Sequence, residues 1–267
     1  MSNSNSKEAE ERQAPRALEI FEAIRAEGEH ELERPSFALL WSGLAAGLSM
    51  GFSFLTEALL ASHLPDANWV PLIAEFGYSI GFLIVILGRQ QLFTENTLIP
   101  VLQVLNEKSW SVFRNLARLW GIVFFANIVG TMLFSFAIAS LSIFDPSVYT
   151  HLSEIAHTVV SHAPWETFFR AIFAGWLIAL IIWLLPFAQE ARFWVIIIIT
   201  YVIGIGGFSH IIAGSVEGFY GLWIGQMYWG EFLFNFFIPT ATGNIVGGVA
   251  LVAVINYAQV SYEAKKL

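Results

Sequence analysis

The word Asn-Ile-Val-Gly occurs twice in this chain, from Asn127 to Gly130 and again from Asn244 to Gly247. The two copies lie 117 residues apart, each inside a long apolar stretch. A second pair of features keeps nearly the same spacing. Polar, loop-like residues interrupt one apolar segment around Thr94 and another around His210, 116 positions on. Self-similarity at a fixed offset marks a chain that is built twice. Breaks at matching places in two membrane-embedded halves point to a transport site where the halves meet.

Composition identifies the solvent. The 267 residues are 56% hydrophobic and only 13% charged, with a mean hydropathy of +0.64. A soluble domain carries about 25% charged residues, so this chain has too few to clothe a water-facing surface. A helix crossing a bilayer core of about 30 Å needs roughly 20 apolar residues. Six segments qualify, at 37–60, 72–105, 116–140, 168–188, 193–223 and 232–257. The expected fold class is an all-α membrane protein with six transmembrane helices. Three spans per half is an odd number, so the second half is expected to be inverted relative to the first.

Segments two and five are too long and too broken to be plain spans. The second carries Gly88, Arg89, Gln90, Gln91, Leu92, Phe93, Thr94, Glu95 and Asn96; the fifth carries Gly204 to Gly207, Phe208, Ser209 and His210. Unwound backbone at membrane depth leaves N–H and C=O groups to be satisfied by protein or by a water-lined cavity. Half-helix N-termini meeting near the midplane offer partial positive charge to an anion. Close helix packing has its own signature in Gly43, Gly47 and Gly51 on span one and Gly243 and Gly247 on span six.

Lys and Arg set the expected orientation. Lys7, Arg12, Arg16, Arg25, Arg34, Lys108, Arg114, Arg118, Arg192, Lys265 and Lys266 fall on one side, against Arg170 on the other. That bias places both termini in the cytoplasm, and the expected location is the bacterial inner membrane, crossed several times. Residues 1–36 lack a cleavable hydrophobic core, so no signal peptide is expected. The expected domains are a cytoplasmic tail over 1–36, a channel domain over 37–258 and a cytoplasmic tail over 259–267. Within the first tail, 1–15 is polar and expected to be disordered. Leu18, Phe21 and Ile24 within 16–33 have the spacing of a short amphipathic helix along the membrane interface.

Several function classes drop out. Without cysteine there are no disulfides, thiolate metal sites or cysteine nucleophiles. No Gly-x-Ser-x-Gly or comparable activated nucleophile is present, so an enzyme is not expected. The absence of a basic run argues against nucleic-acid binding. His151, His157 and His162 are spaced by six and five residues, which does not put them on one helical face, so neither a metal nor another cofactor is expected. The net charge of −8 comes largely from tails and loops and says little about a substrate.

Leu92, Phe93, Thr94 and Asn96, with Gly207, Phe208 and His210, resemble the two loops of the formate–nitrite transporter family. Asn127 to Gly130 and Gly243 to Gly248 complete a pattern covering roughly 36–260. The wording from Arg89 to Asn96 is similar to the YfdC-type branch. The resemblance implies an aquaporin-like protomer, a homopentamer with one pore per protomer, and passage of small monovalent anions or their conjugate acids. His210, Thr94, Phe208 and Asn96 would then line the substrate path. By ungapped comparison Tyr78 and Ile203 narrow the outer vestibule, and Phe82, Leu92, Phe93 and Ile178 the inner one; apolar rings hinder hydrated ions by dewetting.

The chemistry can be argued from the residues themselves. An anion entering hydrocarbon loses far more solvation than its neutral acid. An imidazole at the midplane, with an ordinary pKa near 6.5, suits proton exchange around neutral pH. Thr94 can donate or accept a hydrogen bond across the same gap. Four positions depart from the family pattern: Glu95 replaces a small residue, Ser209 an acid, Gly175 an Asn, and Val159 an entrance Lys. Arg89 and Glu95 are expected to pair and pin the first loop, while Glu217 has no obvious partner. Two other readings remain: a pore for water or small neutral solutes, and a non-conducting sensor or scaffold using 16–33 to meet a partner.

Overall fold

A computed structural model describes residues 16–264. The expectations for 1–15 and the charges at Lys265 and Lys266 lie outside the described residues. The elements in chain order are α1 (Ala17–Glu33), α2 (Ser36–Ser62), α3 (Val70–Ala74), α4 (Tyr78–Leu87), a 3₁₀ turn (Glu95–Thr97) and α5 (Ile99–Glu107). They continue with α6 (Trp110–Ser140), α7 (Pro146–Thr158), α8 (Pro164–Leu184), α9 (Arg192–Ile205) and α10 (Ile211–Trp223). The last helix, α11, runs from Trp229–Glu231 to Ile255–Ala264 and contains two π-helical stretches, Phe232–Phe237 and Gly247–Val254.

Five helical stretches among the described residues are long and apolar enough to cross a membrane. The remaining apolar segment is split into α9 and α10, and the second is split into α4 and α5. Both interruptions therefore fall where the polar residues sit in the sequence. Many aromatic and aliphatic side chains, such as Phe37, Trp41, Phe125 and Trp194, stay exposed on the outside, as a lipid solvent allows.

The repeated Asn-Ile-Val-Gly word has a steric explanation. α2 packs along α6, and α8 packs along α11. Gly130 faces α2 so closely that a Cβ there would lie 2.6 Å from Leu44 O and 2.8 Å from Gly47 Cα. Gly247 faces α8 in the same way, where a Cβ would lie 2.7 Å from Trp176 N. Backbones approach to a distance that only a missing side chain permits.

The link at 141–163 contains α7, which buries Val148, Leu152 and Ala156 against the bundle. One element differs from the sequence expectation. The helix expected along the membrane interface exists as α1, but its apolar side faces protein. Phe21, Ile24 and Leu32 are buried with Leu98, Leu102, Leu116 and Val252. Burying those side chains against α5 and α6 removes the apolar stripe that an interfacial helix would offer to lipid.

Candidate functional site

The two breaks are held by the same device. Asn127 Oδ1 accepts the Phe93 N–H at 2.9 Å, while Nδ2 donates to Gln91 O at 2.8 Å and to Gly43 O of α2 at 2.7 Å. Asn244 Oδ1 accepts the Ile211 N–H at 2.8 Å, while Nδ2 donates to Ser209 O at 2.9 Å and to Ala171 O of α8 at 2.8 Å. Each carboxamide uses one acceptor and two donors to satisfy loop backbone that has left the helix, and ties it to a neighbouring span. Both asparagines are fully buried. Gly207 gives the second loop a left-handed turn at φ 58°, and Arg89 adopts φ 51° in the first.

These staples bring Thr94 and His210 together. Thr94 Oγ1 and His210 Nε2 are 2.7 Å apart, and both residues are buried. His210 is also the N-cap of α10, its Nδ1 accepting the Ala213 N–H at 3.2 Å. An acceptor nitrogen carries no proton, so the neutral imidazole must hold its hydrogen on Nε2 and donate it to Thr94. The Thr94 hydroxyl hydrogen is thereby left to donate elsewhere. A proton added at Nδ1 would displace the cap of α10. The expected proton exchange at His210 thus carries a structural cost that the sequence did not announce.

Two of the predicted constriction residues pack in a row from this bridge. Phe82 meets the His210 ring edge-on at 5.0 Å between centroids, and Tyr78 packs on Phe82 at 5.3 Å. Leu92, Phe93, Ile178 and Ile203 are buried in the same cluster. Phe208 stacks on Phe173 at 5.3 Å. Asn96 braces its own loop, with Nδ2 donating to Gln91 Oε1 at 3.0 Å and to Leu92 O at 3.2 Å.

The expected pairing of Arg89 with Glu95 is corrected. Arg89 Nη2 lies 2.5 Å from Glu27 Oε1 on α1, and Glu95 Oε1 is buried with no hydrogen-bond partner among the described residues. The left-handed turn at Arg89 throws its side chain outward, where it is 73% exposed, so it reaches the amphipathic helix rather than its own loop. Both residues still line one cavity of about 360 Å³ with Glu27, Glu31, Gln90 and Gln91. Glu31 accepts from the Gln91 amide at 2.9 Å, which carries the link from α1 to the loop stapled by Asn127.

Sequence reasoning missed several contributors. Ser53 Oγ donates to Tyr78 O at 2.5 Å and accepts the Gly81 N–H at 3.0 Å, fixing α4 against α2. Arg170 donates to Gly207 O at 3.1 Å and to Gly206 O at 3.4 Å, holding the second loop. Glu57 and Glu75 stand near Glu217, the acid for which sequence offered no partner. The available signal was an acidic residue inside or beside an apolar run, which is costly enough to be informative by itself. His151 lies 3.0 Å from Glu154, and His162 lies 3.6 Å from Glu166.

Broken helices meeting at a buried polar bridge between apolar walls define a membrane transport protein of the broken-span type. The chain belongs to the formate/nitrite transporter family, whose model matches residues 18–258. It is 42% identical over 251 residues to the inner membrane protein YfdC of Escherichia coli (strain K12), covering 94% of this chain and 81% of that one. Two solved structures share the fold. One, described as a pentameric formate channel with formate bound, gives a TM-score of 0.72 at 21% identity, covering 84% of this chain and 97% of its own. The other, described as an FNT family ion channel, gives 0.79 at 17% identity, with 90% and 98% covered.

Proposed function

We propose that the chain forms a channel for small monovalent anions or their conjugate weak acids, formate being the first candidate. The observation that carries this reading is the Thr94–His210 bridge. A neutral imidazole donating to a hydroxyl leaves the Thr94 O–H free to donate to a guest, beside the ring of Phe82. One donor is suited to a small oxyanion or its acid that has shed its water, whereas a hydrated cation would find no acceptor cage. His210 then acts first as a fixed donor that polarises Thr94. Phe208 borders the approach, while Tyr78 and Ile203 narrow one side and Phe82, Leu92, Phe93 and Ile178 the other.

The architecture that fits is a six-span, aquaporin-like inverted 3+3 repeat with spans two and five broken. Homopentameric assembly with one pore per protomer is supported by the pentameric solved structure of the same fold. The inner-membrane relative supports a multi-pass protein of the bacterial inner membrane. The distribution of Lys and Arg supports cytoplasmic termini.

Flux into proteoliposomes tests the substrate class. Formate uptake is expected, with Thr94→Val lowering it at least tenfold and His210→Asn, which removes the fixed donor behind Thr94, lowering it as well. No flux of formate, nitrite, acetate, lactate, hydrosulfide or chloride, with or without a pH gradient, defeats the proposal. A pore for neutral solutes is the second reading, favoured by the acidic residues near Tyr78. Rapid osmotic swelling of the same vesicles without formate flux would select it.

A further inference from the structure

We propose that Glu57, Glu75 and Glu217 hold protons beside the outer constriction and hand one to the permeating anion, so that it passes Tyr78 as a neutral acid. The proposal rests on the weak-acid reading above and names the residues that supply its proton. The three carboxylates come from separate elements. Glu57 lies near the end of α2, Glu75 in the turn between α3 and α4, and Glu217 in the middle of α10.

Packing brings them to one place. A Cβ on Gly204 would collide with Glu75 Oε2 and come within 3.4 Å of Tyr78 Cβ, so the Glu75 carboxylate occupies space that a side chain on α9 would fill. Gly204 adjoins Ile203, placing Glu75 at the narrowing attributed to Ile203 and Tyr78. Gly77 brings the backbone of Glu57 against the start of α4, where a Cβ would lie 2.6 Å from Glu57 Cα. Glu57 interacts electrostatically with Glu75 and Glu217, and the Tyr78 phenol interacts with all three. None of the three carboxylates makes a hydrogen bond or ion pair among the described residues, and each keeps some accessible surface.

Tyr78 supplies an independent indication of a ligand. It is only 7% exposed, yet its hydroxyl makes no hydrogen bond among the described residues. The hydroxyl is not among the fully enclosed unpartnered polar atoms, so it opens on space that a polar guest can reach, to donate to it or accept from it. Most other titratable groups at this end have partners of their own. Arg170 of α8 donates to Gly206 O and Gly207 O. Tyr201 of α9 donates to Leu72 O, His63 Nδ1 contacts Leu59 O, and His151 of α7 pairs with Glu154. Tyr149 donates to Leu141 O, and His162 lies against Glu166. Asp66 in the link after α2, His157 of α7 and Tyr220 of α10 are the remaining titratable groups nearby.

Three neighbouring carboxylates without an ion pair among the described residues cannot all stay ionised at membrane depth. Protons are the smallest means of neutralising them. His210 cannot readily be the source, because its Nδ1 is committed to the cap of α10. In the step proposed, the O–H bond of a glutamic acid breaks and its proton joins a carboxylate oxygen of formate. Formic acid then moves toward Thr94, and the glutamate left behind takes a proton from outer water.

Infrared spectra of the protein in lipid nanodiscs test the site without any substrate. At pH 7 a protonated-carboxyl C=O absorption is expected, sensitive to D₂O and diminished in Glu57→Gln, Glu75→Gln and Glu217→Gln. If the absorption is missing in the wild type, or none of the three variants reduces it, the proposal is overturned. Its disappearance in sodium or potassium relative to a bulky organic cation would assign the site to a metal cation and overturn it as well.

Formate flux at clamped zero potential tests the proton transfer. Wild-type uptake is expected to fall about tenfold per pH unit as outer pH rises well above the acid's own pKa, following the neutral acid. Glu75→Gln/Glu217→Gln should flatten that slope and add a formate-dependent current. An unchanged slope with no added current overturns the loading role. A carboxyl absorption that responds to all three variants, together with no formate flux at any pH, supports the proton-holding site and defeats the weak-acid substrate reading alone.

Discussion

Asn127 and Asn244 do the same work in the two halves. Each accepts one loop N–H, donates to one loop carbonyl and donates to one carbonyl of a neighbouring helix. The glycine three residues on lets that same helix approach. What surrounds the two loops is quite different. The first is overlaid by α1, through Glu27 on Arg89 and Glu31 on Gln91. The second has no such cover among the described residues; Arg170 grips its carbonyls, and the half-buried Glu75 carboxylate lies against Gly204, just before it. The matching asparagines set where the loops meet, and their unlike surroundings make the two loops chemically different.

Removing the staples should break the equivalence most severely. Asn127→Ala and Asn244→Ala each delete three hydrogen bonds and strand buried backbone groups, at about 1–3 kcal/mol for each group left unsatisfied. A loss of at least about 3 kcal/mol is expected for either change, read as a lower midpoint of thermal unfolding in detergent and less assembled protein. Comparable losses sustain the equivalence. If Asn244→Ala unfolds the protein while Asn127→Ala is tolerated, the cover provided by α1 is holding the first loop independently.

A smaller effect is expected where the helix pairs close. A Cβ on Gly47 would lie 3.0 Å from Asn127 Cα, and one on Gly175 would lie 2.7 Å from Asn244 Cα. Gly47→Ala and Gly175→Ala force α2 away from α6 and α8 away from α11, at about 1–3 kcal/mol each. Thermal midpoints should fall for both, with Thr94 and His210 moving apart enough to lower flux. Unchanged stability at either position would show that its helix pair has slack that the other lacks.

The same comparison explains what could be read from sequence. The spans, the two breaks and the Asn-Gly words were legible because lipid demands long apolar runs, and internal duplication repeats its words. Thr94 and His210 were legible as polar residues in the interruptions. The partner of Arg89 was not, because sequence spacing made Glu95 the nearer candidate, whereas backbone at φ 51° turned the arginine toward α1. Glu57 and Glu75 sit near span ends, where an acid looks like an ordinary boundary residue. Only the close contacts at Gly77 and Gly204 bring them to Tyr78. Gly175, noted as a departure from the family's Asn, proved to be the residue that admits the Asn244 backbone.

The smallest expected effect belongs to the pair that sequence assigned wrongly. Arg89 and Glu27 are 73% and 41% exposed in their side chains, so solvent and salt screen them, and such pairs contribute about 0.2–1 kcal/mol. A double-mutant cycle with Arg89→Ala and Glu27→Ala should yield a coupling in that range that shrinks as salt is raised. The equivalent cycle for Arg89 and Glu95 should show a smaller coupling, since the two act on each other only across the cavity and make no ion pair. Flux should respond more than stability, because losing the contact frees the Arg89 side chain at the cavity that Glu95 and Gln91 line, while α1 stays held by its buried face. Clear coupling between Arg89 and Glu95, with none to Glu27, would mean that the arginine turns inward. The first loop would then be closed from within, as the second is by Arg170, and the contrast between the two mouths would narrow to the carboxylates alone.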